Sequence, residues 1–189
     1  MTKKLFLPVC MLSLFLLSCG GAETDPETIA DKVVEEMQSS GSTLVVSSPC
    51  ELLSVNDVRT ICSVSNDYEI EQEDKKYTYP TCSFRWEDGK VKKEMEVAGR
   101  KMTIDHPSEV LVVMVVEANE AMYDRSIKVY EDGEDISSVG EKAIWGTDMS
   151  QLSFLESGYL FHVHVQTSND NEENKKQAIE IAQTLMSNI

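Results

Sequence analysis

The sequence is poor in positive charge and in aromatic residues, and it contains no apolar run long enough to cross a bilayer. Its 17 Lys and Arg stand against 33 Asp and Glu, a formal net charge of −16. A surface of that sign is repelled by phosphates and anionic head groups, which argues against nucleic acid as a partner and leaves a basic partner surface as the better match. The apolar stretch Leu5 to Leu17 is broken by Pro8 and Ser13 and falls short of the roughly 20 residues that a spanning helix needs. No Gly-x-Ser-x-Gly elbow, Cys-x-x-Cys pair, phosphate-cradling glycine loop or His-Glu-x-x-His occurs. With those signatures missing, no cofactor is indicated and the expectation is a non-catalytic protein.

The amino terminus is more explicit. Lys3 and Lys4 precede the short apolar stretch, the layout of a signal peptide. The residues that close it, Leu16-Leu17-Ser18-Cys19, resemble a lipobox, with a leucine three positions before the cysteine and a small residue just before it. That resemblance implies removal of residues 1–18 and acylation of Cys19, by a diacylglyceryl thioether and an added amide-linked chain such as palmitate. Two or more acyl chains anchor a protein stably where one does not. Ordinary secretion, with cleavage after Ser18 or Ala22, is the alternative. Gly20, rather than an aspartate, follows the cysteine. By resemblance to the usual sorting rule this points to the outer membrane of a Gram-negative bacterium, with the domain in the periplasm or on the cell surface.

Removal of the leader leaves a tether, residues 19–47, and a single domain, residues 48–189. Within the tether Ile29, Val33, Val34 and Met37 recur at helical spacing after Asp25-Pro26-Glu27, so a short amphipathic helix is expected there. Of the five cysteines, Cys10 leaves with the leader and Cys19 carries lipid. Cys50, Cys62 and Cys82 then share an oxidising compartment, where one disulfide is expected. A Cys50–Cys62 bond would have to span most of a helix, beyond the about 7 Å Cα separation that a disulfide tolerates. Cys50–Cys82 is the preferred pairing and Cys62–Cys82 the second.

Within the domain, Ser54 with Asp57 three residues on predicts a capped helix to about Cys62. Asn66 to Lys76 reads as a loop or a sheet edge. Cys82, Phe84 and Trp86 alternate with polar residues, the period of a half-buried strand. Asp88-Gly89 suits a tight turn into a partner strand from Val91 to Val97. Glu109 to Glu117 is an unbroken apolar strand that needs cover on both faces. Asn119 caps a helix running to about Tyr130, and three strands follow near Lys142–Trp145, Gln151–Leu155 and Tyr159–Thr167. The closing helix carries a stripe of Ala178, Ile179, Ala182, Leu185, Met186 and Ile189, with Glu172 and Lys176 spaced to pair. This order predicts an α+β fold, a mainly antiparallel sheet covered by helices.

Two groups of residues carry a further likeness. Pro49-Cys50-Glu51-Leu52-Leu53 followed by a helix and Cys82-Ser83-Phe84-Arg85-Trp86 resembles a family of small bacterial lipoproteins best known from actinobacteria. Gly140-Glu141-Lys142-Ala143, the hairpin at Gly158 and the closing helix extend the likeness over most of residues 48–189. The resemblance implies a PsbP-like α/β sandwich, a disulfide between Cys50 and Cys82, and a domain without an assigned activity.

The only constellation resembling a metal site is His162-Val163-His164, whose imidazoles share one strand face about 7 Å apart. His106 or an acid would be the third ligand. The competing reading has Phe161, Val163 and Val165 in the core and the histidines in water. Asn169 to Glu173 reads as a solvated turn ahead of a helix rather than a calcium loop, and Cys62 as a buried apolar residue rather than a nucleophile. Trp86, Trp145 and Phe161 are expected in the core, while Tyr77, Tyr79, Tyr123, Tyr130 and Tyr159 border a groove. The leading expectation is therefore an envelope lipoprotein, held to the membrane through Cys19, that binds a protein or a small ligand. The alternatives are a metal-dependent enzyme using His162 and His164, and a structural subunit of an envelope complex.

Overall fold

The computed structural model describes residues 46–189. The leader, Cys19 and the tether helix around Ile29 to Met37 lie outside the described residues. Seven strands form one antiparallel sheet in the order β1-β2-β3-β7-β6-β5-β4. They are β1 (Glu71–Lys76), β2 (Pro80–Val97), β3 (Arg100–Val115), β4 (Gly133–Asp135), β5 (Lys142–Gly146), β6 (Gln151–Glu156) and β7 (Tyr159–Gln166). Two meanders, β1 to β3 and β4 to β7, are stitched into one sheet where β3 pairs with β7. Among the described residues the α-helices are α1 (Val55–Ile61), α2 (Glu120–Ser126) and α3 (Asn171–Ser187). The architecture is α+β.

Strand alternation assigns the two faces. Cys82, Phe84 and Trp86 on β2, Val110, Val112 and Met114 on β3, and Phe161, Val163 and Val165 on β7 point to one side and are buried. There α3 lies across β6 and β7 and against α1. Ser54 and Asp57 close the capping box that starts α1. The α3 stripe runs through Ala178, Ile181, Ala182 and Leu185, all fully buried, with Ile179 and Met186 at its margins and Ile189 exposed. The expected Glu172–Lys176 pair does not form. Glu172 pairs instead with Lys175, which also reaches Glu134 on β4, while Lys176 turns to Glu180. The disulfide joins Cys50, in a 3-10 turn over Pro49–Glu51, to Cys82 on β2, with Cα atoms 5.2 Å apart. Cys62 is free and buried, and burial pushes its thiol up to about 12.

The opposite face has its own small cluster. Val115, Leu155 and Leu160 pack under Tyr123 of α2 and Ala118. Beyond that end Leu111 and Val113 are only half-buried, so β3 is interior to the sheet but fully covered on one face alone. The charged edge strand β1 and the three-residue β4 leave little open backbone for pairing with another chain.

The largest departure concerns the first hairpin. Asp88-Gly89 is no turn. It lies in a bulge of β2, where the register jumps from Trp86 opposite Ser108 to Val91 opposite His106. The actual turn is Ala98-Gly99, between Val97 and Arg100, with positive φ at both residues. Two positive φ values match the twist of a two-residue hairpin. Asp88 is held in the bulge because its carboxylate accepts from Trp86 Nε1 (2.9 Å), Ser108 Oγ (2.7 Å) and the Lys90 amide (3.2 Å). Gly89 supplies the left-handed residue that such a bulge requires, at φ 67°.

Candidate functional site

A groove of about 450 Å3 opens where β1 begins, at the base of the long β2–β3 hairpin. Its wall is built by the loop that connects α1 to β1. Arg59 on α1 shapes that loop by donating to the carbonyls of Ser65 (2.8 Å) and Tyr68 (3.1 Å). Asp67, Glu69, Glu71 and Glu87 line the groove together with Tyr68 and Arg85. Arg85 is the one cation in that lining, and Glu109 on β3 neutralises it through contacts of 2.7 Å to Nε and 2.6 Å to Nη2. Its bond to Glu109 raises the guanidinium further above its ordinary value. No basic side chain among the described residues forms an ion pair with Asp67, Glu69, Glu71 or Glu87.

Trp86, buried to 2% exposure, also borders the groove, and its ring N–H donates to Asp88, whose side chain is 3% exposed. Burial alone would raise that carboxyl, but bonds from Ser108, Trp86 and the Lys90 amide hold it below the ordinary carboxylate range. The groove thus gathers four carboxylates, two aromatic residues and one Arg already paired with Glu109.

The histidines behave differently. His162 and His164 do share a face of β7, opposite Val113 and Leu111 of β3, yet each Nδ1 is occupied. His164 Nδ1 donates to the Met149 carbonyl at 2.8 Å. His162 Nδ1 lies 2.6 Å from Ser153 Oγ, which lies 2.6 Å from the Tyr130 hydroxyl, which accepts from Gln151 Nε2. With His162 neutral and Nδ1 accepting, donation runs from Gln151 to Tyr130 to Ser153 to His162. Burial lowers the affinity of His162 for a proton. Ser153 is fully buried, so its contact with an imidazole fixes the segment after α2 rather than forming a nucleophile. His106 pairs across from Val91 near the middle of β3, seven positions from Val113. At about 3.3 Å per residue that is some 23 Å from the His162 level. Among the described residues no group of three His, Cys, Asp or Glu side chains is placed to hold a metal ion.

Of the tyrosines expected at a groove, Tyr123 on α2 is buried but borders a depression with Asp124 and Asp135, and Tyr130, tied to Ser153, borders another with Glu131 and Asp132. Tyr77 borders a separate shallow depression over Leu111 and Val113. Tyr68, which does line the acidic groove, is not singled out by sequence reasoning, nor are its acidic neighbours. Their one signal is the acidic run from Asp67 to Asp74, which reads equally as a solvated edge. Asn169 to Glu173 acts as a helix start: Asp170 caps α3, and Asn169 and Asn171 are engaged by Lys92 and Ser150. Among the described residues no helix is long and apolar enough to cross a membrane. No protein-family model, curated protein or solved structure matches the chain.

Proposed function

We propose that this chain is a lipid-anchored, non-catalytic domain of the bacterial cell envelope, held through Cys19, whose acidic groove takes a cationic partner. The observation that carries the binding half is the cluster of Asp67, Glu69, Glu71 and Glu87 beside Tyr68, with Arg85 neutralised by Glu109. A lysine-rich peptide or a polyamine is the matching chemistry, since a cation gains from the carboxylates and from the ring face. The envelope half is supported by the lipobox-like Leu16 to Cys19 and by the likeness of the Cys50 and Cys82 segments to small PsbP-like lipoproteins.

Titration of the full chain with spermidine and with an oligolysine peptide tests the groove. Binding is expected to weaken with salt and to fall at least about tenfold in the Glu69→Gln/Glu71→Gln/Glu87→Gln variant. Equal binding by variant and parent overturns the groove. Mass spectrometry of the mature chain tests the anchor, and a first residue other than Cys19 without fatty acyl mass overturns it.

A further inference from the structure

β2 and β3 outrun the rest of the sheet. β1 begins opposite Arg85 and β7 ends opposite Glu109, so from Val91 and His106 outward the two strands pair only with each other. Residues 93–104 form an arm with its turn at Ala98-Gly99. At about 3.3 Å per residue the arm projects roughly 20 Å.

The two faces of this arm differ. Lys92, Glu94, Glu96, Lys101, Thr103 and Asp105 share one face. It is charge-mixed and closes on itself, with Lys92 paired to Asp105 and Glu96 opposite Lys101. On the other face Met95 lies opposite Met102, Lys93 opposite Ile104, and Val97 opposite Arg100. Met95, Val97, Met102 and Ile104 are 44%, 50%, 51% and 37% exposed. The only charges on this face are Lys93 and Arg100, and among the described residues neither forms an ion pair. Along β3 this side carries Val110, Val112 and Met114 into the core. The apolar face therefore continues past its helical cover, whose last tie is the Asn169 side chain bonded to the Lys92 amide and carbonyl.

We infer that the face formed by Met95, Val97, Met102 and Ile104, with Lys93 and Arg100 at its margins, seats on an anionic phospholipid bilayer. Charge selects the occupant. Four apolar side chains bounded by unpaired cations suit an interface of acyl chains and anionic head groups. A second copy brings Lys93 and Arg100 against themselves, and the two acidic bodies add repulsion. Area disfavours a protein partner: two strands about 10 Å wide and 20 Å long present roughly 200 Å2, against the about 800 Å2 per partner of an ordinary interface. The domain's net negative charge does not reach the tip, because screening acts over about 8 Å at physiological salt. The inference rests on the envelope reading for the presence of a bilayer.

The test uses the full chain reconstituted with phosphatidylcholine vesicles, with and without phosphatidylglycerol, part of the phosphatidylcholine carrying brominated chains. Met102→Trp and Met95→Trp report the arm, and Val129→Trp, at a position 63% exposed on the body, is the control. Trp86 and Trp145 are 2% and 1% exposed and report the intact core. The arm tryptophans are expected to be quenched with phosphatidylglycerol and the control left unquenched. Lys93→Glu/Arg100→Glu should lower the docked-to-free ratio at least about tenfold. Flotation with vesicles but unquenched arm tryptophans overturns the inference and leaves the anchor standing, with an acidic protein as the remaining occupant. Flotation only with phosphatidylglycerol, lost on charge reversal, supports the arm and removes the anchor. No flotation overturns both.

Discussion

The inner and outer halves of the β2–β3 pair obey the same alternation and meet opposite fates. From Cys82 to Trp86 and from Ser108 to Met114, every second side chain is buried, the apolar ones in the core cluster that also includes residues of α1 and α3, and the 3-10 turn of Pro49–Glu51 packs on these strands. From Lys93 to Ile104 the same alternation continues, and its apolar members stand in water. Asp88 marks the border. Periodicity therefore says which side a residue faces, while burial depends on whether a distant element arrives to cover it.

Phe84→Ala, in the inner half, should cost the most, about 3–5 kcal/mol, by removing a fully buried ring. Urea unfolding measures it, and an effect near that of an arm substitution would break the contrast. Reducing the Cys50–Cys82 bond, 32 residues apart in sequence, should cost about 2–4 kcal/mol and lower the denaturation midpoint.

Asp88→Ala should cost about 2–3 kcal/mol, since it leaves the Trp86 ring N–H and the buried Ser108 hydroxyl without their acceptor. Hydrogen exchange should then quicken along residues 91–106 before it does in α3. The same carboxyl gives a pH signature. Its folded proton affinity is lowered, so near pH 4 the unfolded chain binds more protons than the folded one. The stabilisation is complete above that ordinary carboxyl value and is lost as pH falls through the lower folded value. Asp88→Asn should remove that part of the acid limb.

His162 should behave alike one step up the pH scale. Its folded proton affinity is lowered by burial, so stability holds above its ordinary value of about 6.5 and declines as pH falls below it. A stability–pH profile flattened by His162→Gln in that window is the expected result. Met102→Ser on the arm should fall within about 0.5 kcal/mol, the smallest effect and the sharpest check that the arm contributes little to the fold.

Much of the frame was legible because its signals are local. The Ser54 box, the Asn119 cap, the turn at Ser157-Gly158 and the alternation of β2 and β7 each depend on residues a few positions apart. The Asp88-Gly89 misreading shows where that stops. The pair is a good turn by itself, and only Ser108 and Trp86, brought together by pairing, hold Asp88 inside a continuing strand. The groove was equally hidden, because Tyr68, Arg85 and Glu87 come from a loop, a strand and a bulge.

By itself the sequence determined the α+β class, the faces of the strands, the extent of most elements and the sign of the surface. These follow from backbone geometry and side-chain chemistry within a few residues. Tertiary structure alone decided that β3 joins β7, that Arg85 meets Glu109, that His162 is enclosed with Ser153, and that the β2–β3 arm goes uncovered. Each of these requires segments distant in the chain to meet, and no local pattern carries that information.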